Sequence, residues 1–226
     1  MTKPTVLVTA GGCSEKIDAV RRITNTGTGR LGAEIADTLI REKDARITFI
    51  CTGTSAKPAL SCNTIFADTA EELLAAVRTE LNRQRYDAFI HSMAVSDYTV
   101  EKVCDGNGNV LSGGIGGSEK ISSEITAPVI HLRRTPKIIA EIRPLSRDVS
   151  PGMKLFGFKL LSGVTEDFLI KEACQLRDRN GCDYVIANLS ENVGETTHEA
   201  FIIDRNNHAE KLSGKQEIAQ RIAGLI

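Results

Sequence analysis

The sequence has no excess of charge of either sign. Its 28 Lys and Arg stand against 29 Asp and Glu, a formal net charge of −1, so no global basic field draws it to nucleic acid or to an anionic membrane. No apolar run is long enough to span a bilayer. Strand-like sequence begins at Thr5, which leaves no room for a signal peptide, and a cytoplasmic location is expected. Six cysteines (Cys13, Cys51, Cys62, Cys104, Cys174, Cys182) include no C-x-x-C and no paired spacing, so they read as reduced thiols. Four scattered histidines without H-E-x-x-H argue against a tightly held zinc. Nothing resembles an interdomain linker, so residues 1–226 are expected to form a single α/β domain.

What is present is an alternation of strand and helix patterns. Thr5–Ala10, Arg46–Cys51, Tyr86–Ser92, Val129–Leu132, Lys154–Leu161 and Asp183–Asn188 read as strands. Between and after them, Leu31–Glu42, Ala70–Asn82 behind the cap Thr69, a short helix from Pro136, Thr165–Asn180 and Lys215–Leu225 read as helices. Glu199–Asp204 reads as an antiparallel edge strand. Residues 101–126 are polar and Gly-rich and predict a mobile flap outside the core, with a hairpin as one form it could take. The order predicts a Rossmann-like, doubly wound, mainly parallel sheet with a flexible Gly-rich flap. Ligands of such sheets bind outside the carboxyl ends of the strands. The residues there are Ala10–Gly12, Thr52–Gly53, Met93–Asp97, Phe158–Leu161 and Ala187–Asn188, and they should ring one site.

Gly27-Thr-Gly29-Arg-Leu-Gly32 matches G-x-G-x-x-G, but the first strand already ends at Gly11-Gly12. A polar stretch from Cys13 to Thr26 separates strand from glycines, whereas a dinucleotide fold needs them in the strand-to-helix turn itself. The second strand ends Ile50-Cys51-Thr52-Gly53, without the acid that would bind an adenosine ribose. Tyr98-Thr-Val-Glu-Lys102 matches the Tyr-x-x-x-Lys of short-chain reductases, but that chemistry needs the pair one helical turn apart, and no helix is indicated there. An NAD(P)-dependent reductase using Tyr98 and Lys102 is therefore the weaker alternative. A non-catalytic nucleotide-binding protein is a third.

Taken alone, the glycines leave N–H groups open at a helix N-terminus, an anion site flanked by Arg21, Arg22 and Arg30. They could equally permit tight packing, with Asn25 as an Asx-type cap. Asp97 could orient a polar substrate, approach a metal ion, or sit in solvent. Lys120 could be a lid charge over phosphates or a solvated lysine. Phe158 could stack a base or fill the core, and Asn188 could read a base edge or satisfy a turn.

Together these blocks form a pattern. Gly11-Gly12, Asp18-Ala-Val-Arg21-Arg-Ile-Thr-Asn25-Thr-Gly-Thr-Gly29-Arg-Leu-Gly32, Ala94-Val-Ser-Asp97-Tyr98, Glu119-Lys120-Ile121, Thr135-Pro-Lys-Ile-Ile139, Gly157-Phe158-Lys159-Leu160 and Ala187-Asn188 resemble the phosphopantothenate–cysteine ligases, in order and along nearly the whole chain. The resemblance implies a ligase of coenzyme A biosynthesis. The carboxylate of 4′-phosphopantothenate would attack the α-phosphate of CTP or ATP, and L-cysteine would then displace the nucleotide. Magnesium would accompany the nucleotide as in any triphosphate. No flavin and no NAD are expected, the chain looking like the stand-alone form without a flavin-binding half.

The resemblance also implies roles. Asn25 and Lys120 would be catalytic, Asn25 holding the acyl-nucleotide and the pantothenate carbonyl. Gly11, Gly27, Gly29, Gly32, Pro136, Lys137, Ile138, Ile139, Phe158 and Asn188 would bind the nucleotide. Met93, Ala94 and Asp97 would face phosphopantothenate. Arg21 would reach its phosphate across a homodimer interface. No metal ligands are assigned. Two helix lysines common in bacterial relatives are missing from Ala173–Asn180, where Lys171, Arg177 or Arg179 could substitute. Ala94-Val-Ser-Asp97 and Gly157-Phe-Lys159 lie closer to the animal type, and CTP is expected ahead of ATP.

Overall fold

The apolar run of β1 (Thr5–Ala10) is buried on both faces, as a central parallel strand must be, and the rest of the sheet is wound about it. In the computed structural model, which describes residues 3–113, 120–194 and 197–226, β1 leads through a short hairpin, β2 (Ser14–Lys16) and β3 (Arg22–Thr24), into α1 (Arg30–Lys43) and β4 (Arg46–Cys51). Next come β5 (Asn63–Phe66), α2 (Ala70–Arg83), β6 (Ala88–His91), β7 (Tyr98–Cys104), β8 (Val110–Gly113) and β9 (Val129–Arg134). The chain ends with α3 (Ile138–Ser146), β10 (Lys154–Leu161), α4 (Glu166–Asn180), β11 (Tyr184–Leu189), β12 (Glu199–Ile203), β13 (Ala209–Ser213) and α5 (Lys215–Gly224).

The main sheet runs β5-β4-β1-β6-β10-β11-β12-β13. It is parallel from β5 to β11, and β12 and β13 return antiparallel. From β1 the chain winds first toward β4 and β5, then crosses back to β6 and β10. The switch point, where crevices open in such sheets, therefore lies between β1 and β6. Val6, Val8 and Ala10 pack with Ile35 and Leu39 of α1 and Ile218 and Ile222 of α5 on one face. Leu7 packs on the other face with α2, α3 and α4, through Leu73, Val77, Ile142 and Leu169. This is the doubly wound, mainly parallel architecture that the alternation predicts.

Local chemistry explains most helix ends. Thr69 and Glu72 form a reciprocal capping box on α2. Thr165 caps α4, and Gly181 ends it in the left-handed region at φ 62°. The N-terminus of α1 has no side-chain cap: its N-cap is Gly29, at φ 77°, and no acid stands in its first turn. The Asx cap considered for Asn25 is therefore not formed.

Several expectations are corrected. The Cys13–Thr26 stretch holds the β2–β3 hairpin. Val129–Leu132 belongs to β9, which pairs with β7 in a separate three-stranded sheet, β8-β7-β9, and not with the main sheet. The flap region opens with the antiparallel β7–β8 hairpin, and residues 114–119, including Gly114, Gly116, Gly117 and Glu119, lie outside the described residues. The expected edge strand, β12, is covered by β13. The helix expected from Pro136 starts at Ile138.

Candidate active site

The hairpin leaves the end of β1 and returns to it. Asn25 N–H donates to the Cys13 carbonyl at 3.0 Å, closing the excursion at its base. The glycines that are remote from the strand in sequence therefore lie against its carboxyl end in space. A Cβ on Gly12 would sit 2.1 Å from the Asn25 carbonyl oxygen, and one on Gly27 2.8 Å from that of Gly11. A Cβ on Gly32 would meet the Cβ of Ala10 at 2.5 Å, so this glycine lets α1 close onto β1. That is the packing role of the last glycine in a dinucleotide motif.

A neighbour that sequence reasoning missed supports this loop from below. Ser55, in the turn after β4, lies where a Cβ of Gly11 would fall and within 3.1 Å of one on Gly29, and Ala56 N–H donates to the Thr28 carbonyl at 3.0 Å. The run of small polar residues Thr52-Gly-Thr-Ser55 after a strand was the available signal. Among the described residues, no hydrogen bond engages the N–H groups of Gly27, Gly29, Leu31 or Gly32. An uncapped helix start with open amides is an anion site in kind.

Across the switch point, Gly12 bridges to Ala94. The Ala94 N–H donates to the Gly11 carbonyl at 2.8 Å, and its own carbonyl accepts the Cys13 N–H at 2.9 Å and the Asn25 amide Nδ2 at 3.1 Å. Asn25, Ala94 and the glycine loop are thus one cluster, with Met93 buried beside Cys13. Asp97 stands at the rim and pairs with Lys137 at 2.5 Å, both well exposed. Lys137 is the N-cap of α3. Ile138 is buried in the core and Ile139 packs against it, so only the start of the Pro136–Ile139 block faces outward.

Phe158 is half-buried and packs toward the α1 side of the sheet, with its register partner Ile186 on β11. Two residues further along β11, Asn188 is buried. Its Nδ2 donates to the Glu199 carbonyl at 2.7 Å and to His198 Nε2 at 3.1 Å. Its donors serve the β11–β12 junction, which leaves Oδ1 as its remaining polar atom. His198 then carries its proton on Nδ1, which is buried without a partner. Burial foremost, then the Lys215 charge, pushes its pKa down to about 4.

Of the three basic residues considered as substitutes for the helix lysines, Arg177 is excluded. It is buried, pairs with Asp178 and donates to the Asp204 carbonyl. Arg179 lies at the far end of α4, about 20 Å from its start at 1.5 Å per residue. Lys171, in the half nearer the carboxyl edge, is exposed.

Lys120 is exposed and directly precedes Ile121, whose backbone is held by the hairpin tip. Arg21 pairs with Asp18 at 3.3 Å and donates through Nη2 to the Ile121 carbonyl at 2.5 Å. The N–H groups of Val20, Arg21 and Ile121, Val20 first, hold the Asp18 carboxyl below the usual range despite its burial.

The reductase alternative fails on geometry. Tyr98 and Lys102 are the first and fifth residues of strand β7, and four strand steps separate them by about 13 Å. The cysteines are free thiols. Burial pushes Cys13 up to about 11 and Cys182 up to about 12, so neither supplies a thiolate near neutrality.

The fold defines a Rossmann-like α/β protein with its candidate site at the switch point. Within that class, the chain belongs to the family described as DNA/pantothenate metabolism flavoprotein C-terminal domain, whose model matches residues 1–226. It is 36% identical over 219 residues to the coenzyme A biosynthesis bifunctional protein CoaBC of Thermococcus kodakarensis, covering 96% of this chain and 49% of that protein. The chain thus spans about half the length of the curated relatives it matches. The crystal structure of the DNA/pantothenate metabolism flavoprotein from Streptococcus pneumoniae superposes with a TM-score of 0.84 at 32% identity, covering 98% of this chain and 97% of that one. A variant of Cab2 in complex with phosphopantothenate-cysteine shares the fold at a TM-score of 0.74 and 15% identity, over 98% of this chain and 85% of that one.

Proposed function

We propose that this chain joins 4′-phosphopantothenate to L-cysteine through an acyl-nucleotide, with CTP as the favoured co-substrate and ATP as the second. The observation that carries the reading is the cluster at the switch point. It places an uncapped, glycine-lined helix start beside Asn25 and Ala94, in a chain of this family.

A carboxylate oxygen of phosphopantothenate attacks the α-phosphorus, the α–β phosphoanhydride bond breaks, and pyrophosphate leaves. The cysteine amine then attacks the acyl carbon, the nucleoside monophosphate departs with its oxygen, and the amine gives up a proton to leave an amide. The open amides of Gly27, Gly29, Leu31 and Gly32 serve the phosphates. Asn25, oriented by Ala94, keeps one N–H and its Oδ1 for the acyl-nucleotide. Lys120 offsets the charge that develops on the transferring phosphoryl group. Gly11 lies beneath the same loop, and Phe158 and Asn188 Oδ1 border the nucleoside end, with Pro136 and Lys137 at the rim. Met93, Ala94 and Asp97 flank phosphopantothenate.

Bound with the nucleotide, magnesium would supply charge neutralisation to the phosphates, whose oxygens and water would be its chief ligands. Among the described residues, no three His, Cys, Asp or Glu side chains converge into a cage of their own. No helix among the described residues is long and apolar enough to cross a membrane, and we place the reaction in the cytoplasm. The working unit in this reading is a homodimer: Arg21 keeps Nε on Asp18 and Nη2 on the Ile121 carbonyl, and its Nη1 reaches the partner's phosphopantothenate. The edge strand β9, with exposed Val129, Ile130 and Leu132, supports such an interface.

The test is turnover with phosphopantothenate, L-cysteine, magnesium and either CTP or ATP. Pyrophosphate release that depends on phosphopantothenate is expected, faster with CTP. No release with either nucleotide overturns the ligase reading, and nucleotide binding without release favours a binding protein.

A further inference from the structure

Asp18 sits in the tip of the β2–β3 hairpin, where Ile17 N–H donates to the Arg21 carbonyl at 2.9 Å. Carboxylates in turns are ordinarily solvated, but the side chain of Asp18 is fully buried. A buried carboxylate needs its oxygens saturated, and here the two oxygens do different work. Oδ1 accepts the N–H groups of Val20 at 2.9 Å and Arg21 at 2.8 Å, which shapes the turn. Oδ2 accepts the N–H of Ile121 at 3.2 Å and faces Arg21 Nε at 3.3 Å. The guanidinium then donates to the Ile121 carbonyl at 2.5 Å.

Both backbone polar groups of Ile121, a residue 103 positions from Asp18, are therefore held by one ion pair. Burying the Ile121 side chain among Val100, Val103 and Ile17 would already anchor this segment. The polar grip adds direction, because two charge-assisted bonds on one residue fix its rotation as well as its place. The hairpin behind the grip is itself braced. Glu15, in its middle, accepts Ala70 N–H at 2.8 Å and the Thr99 hydroxyl at 2.7 Å. Its base ends at Asn25, and its tip holds the residue after Lys120.

We infer that Asp18 is a positioning residue for the ligase reaction: with Arg21 it grips the Ile121 backbone and so sets Lys120 relative to Asn25. The inference rests on the roles proposed above for Lys120 and Asn25. The hairpin is a strut with one candidate catalytic residue at its base and the other beside its tip.

Asp18→Asn tests it selectively. The amide keeps an oxygen for the Val20 and Arg21 N–H groups, and its NH2 replaces Oδ2 against the Ile121 N–H and Arg21 Nε, donor facing donor. Expected are faster hydrogen exchange at the Ile121 amide and a fall in kcat of about 10²-fold, the size of loss a small misplacement produces. In a Lys120→Gln background the same change should cost far less, since the two act as one unit. Arg21→Gln, which leaves the turn bonds of Oδ1 in place, should also speed exchange at Ile121. Unchanged kcat in Asp18→Asn overturns the inference, as do unaltered exchange or losses that multiply independently with Lys120→Gln. Absence of ligase turnover in the unsubstituted protein overturns the underlying reading instead, and the exchange measurement still reports the grip.

Discussion

The side-chain amide of Asn25 donates to the Ala94 carbonyl at 3.1 Å, across the crevice between β1 and β6. That carbonyl also accepts the Cys13 N–H, so the end of the hairpin, the end of β1 and the exit of β6 are tied at one oxygen. The bond leaves the rest of the Asn25 amide aimed by its partner, and in the proposed reaction it gives the residue two separable duties, one to the fold and one to the acyl-nucleotide.

Asn25→Asp sets a carboxylate oxygen where the donor was, facing the Ala94 carbonyl with no proton between them. The lost bond and the repulsion between the two facing oxygens cost about 1–3 kcal/mol, and the new charge repels phosphates. Thermal melting should fall by several degrees and turnover by more than tenfold. A variant with normal melting and normal turnover removes Asn25 from both duties.

Lys120→Gln keeps a polar, unbranched side chain, one atom shorter, and removes the charge. If the lysine acts on developing phosphoryl charge, kcat falls about 10²- to 10³-fold, while melting is unchanged because the side chain is exposed. Single-turnover kinetics should put the loss in the step that releases pyrophosphate. Near-normal turnover makes Lys120 a surface charge.

Gly12→Ala forces a Cβ to within 2.1 Å of the Asn25 carbonyl oxygen, where backbone must move. Overpacking of this kind costs about 1–3 kcal/mol, which lowers Tm by roughly 2–4 °C per kcal/mol in a chain of this size. Gly53→Ala is the control, since its Cβ would meet nothing closer than Asp68 Oδ1 at 3.9 Å. Equal melting of the two variants contradicts the packing of the loop.

His91 and His198 should make stability depend on acid. Burial pushes the first down to about 4, and burial with the Lys215 charge does the same to the second. In the unfolded chain both titrate near 6.5. Above that pH both are neutral in either state. As pH falls from 6.5 toward 4, only the unfolded chain gains these protons, so stability falls across that window, by about 2 kcal/mol per histidine at pH 5. Ring resonances that stay unshifted from pH 7.5 to 5 bear this out; titration near 6.5 contradicts it.

The central sheet was legible because β1, β4 and β10 are apolar runs with helices between them, a pattern that fixes class and order. The smaller sheet was not. Val129-Ile-His-Leu-Arg-Arg134 reads like any strand, and periodicity carries no information about which sheet a strand joins. The hairpin was hidden for a different reason. Its strands are three residues each, and β3 is wholly exposed, so neither length nor alternation marks them. The glycines could be read as an anion site, but their return to β1 depends on the Asn25–Cys13 bond, which is tertiary. The same holds for Asp18, whose partner at Ile121 leaves no local trace, and for Asn188, whose donors turn out to serve β12.

The central claim is that an acyl-nucleotide forms at the β1–β6 crevice before cysteine takes part. It is tested most directly by isotope exchange between labelled pyrophosphate and CTP, with phosphopantothenate and magnesium present and cysteine left out. Label should enter CTP only when phosphopantothenate is added, and the rate should drop in Lys120→Gln and Asn25→Asp. Exchange that appears only with cysteine, or that ignores phosphopantothenate, contradicts the account.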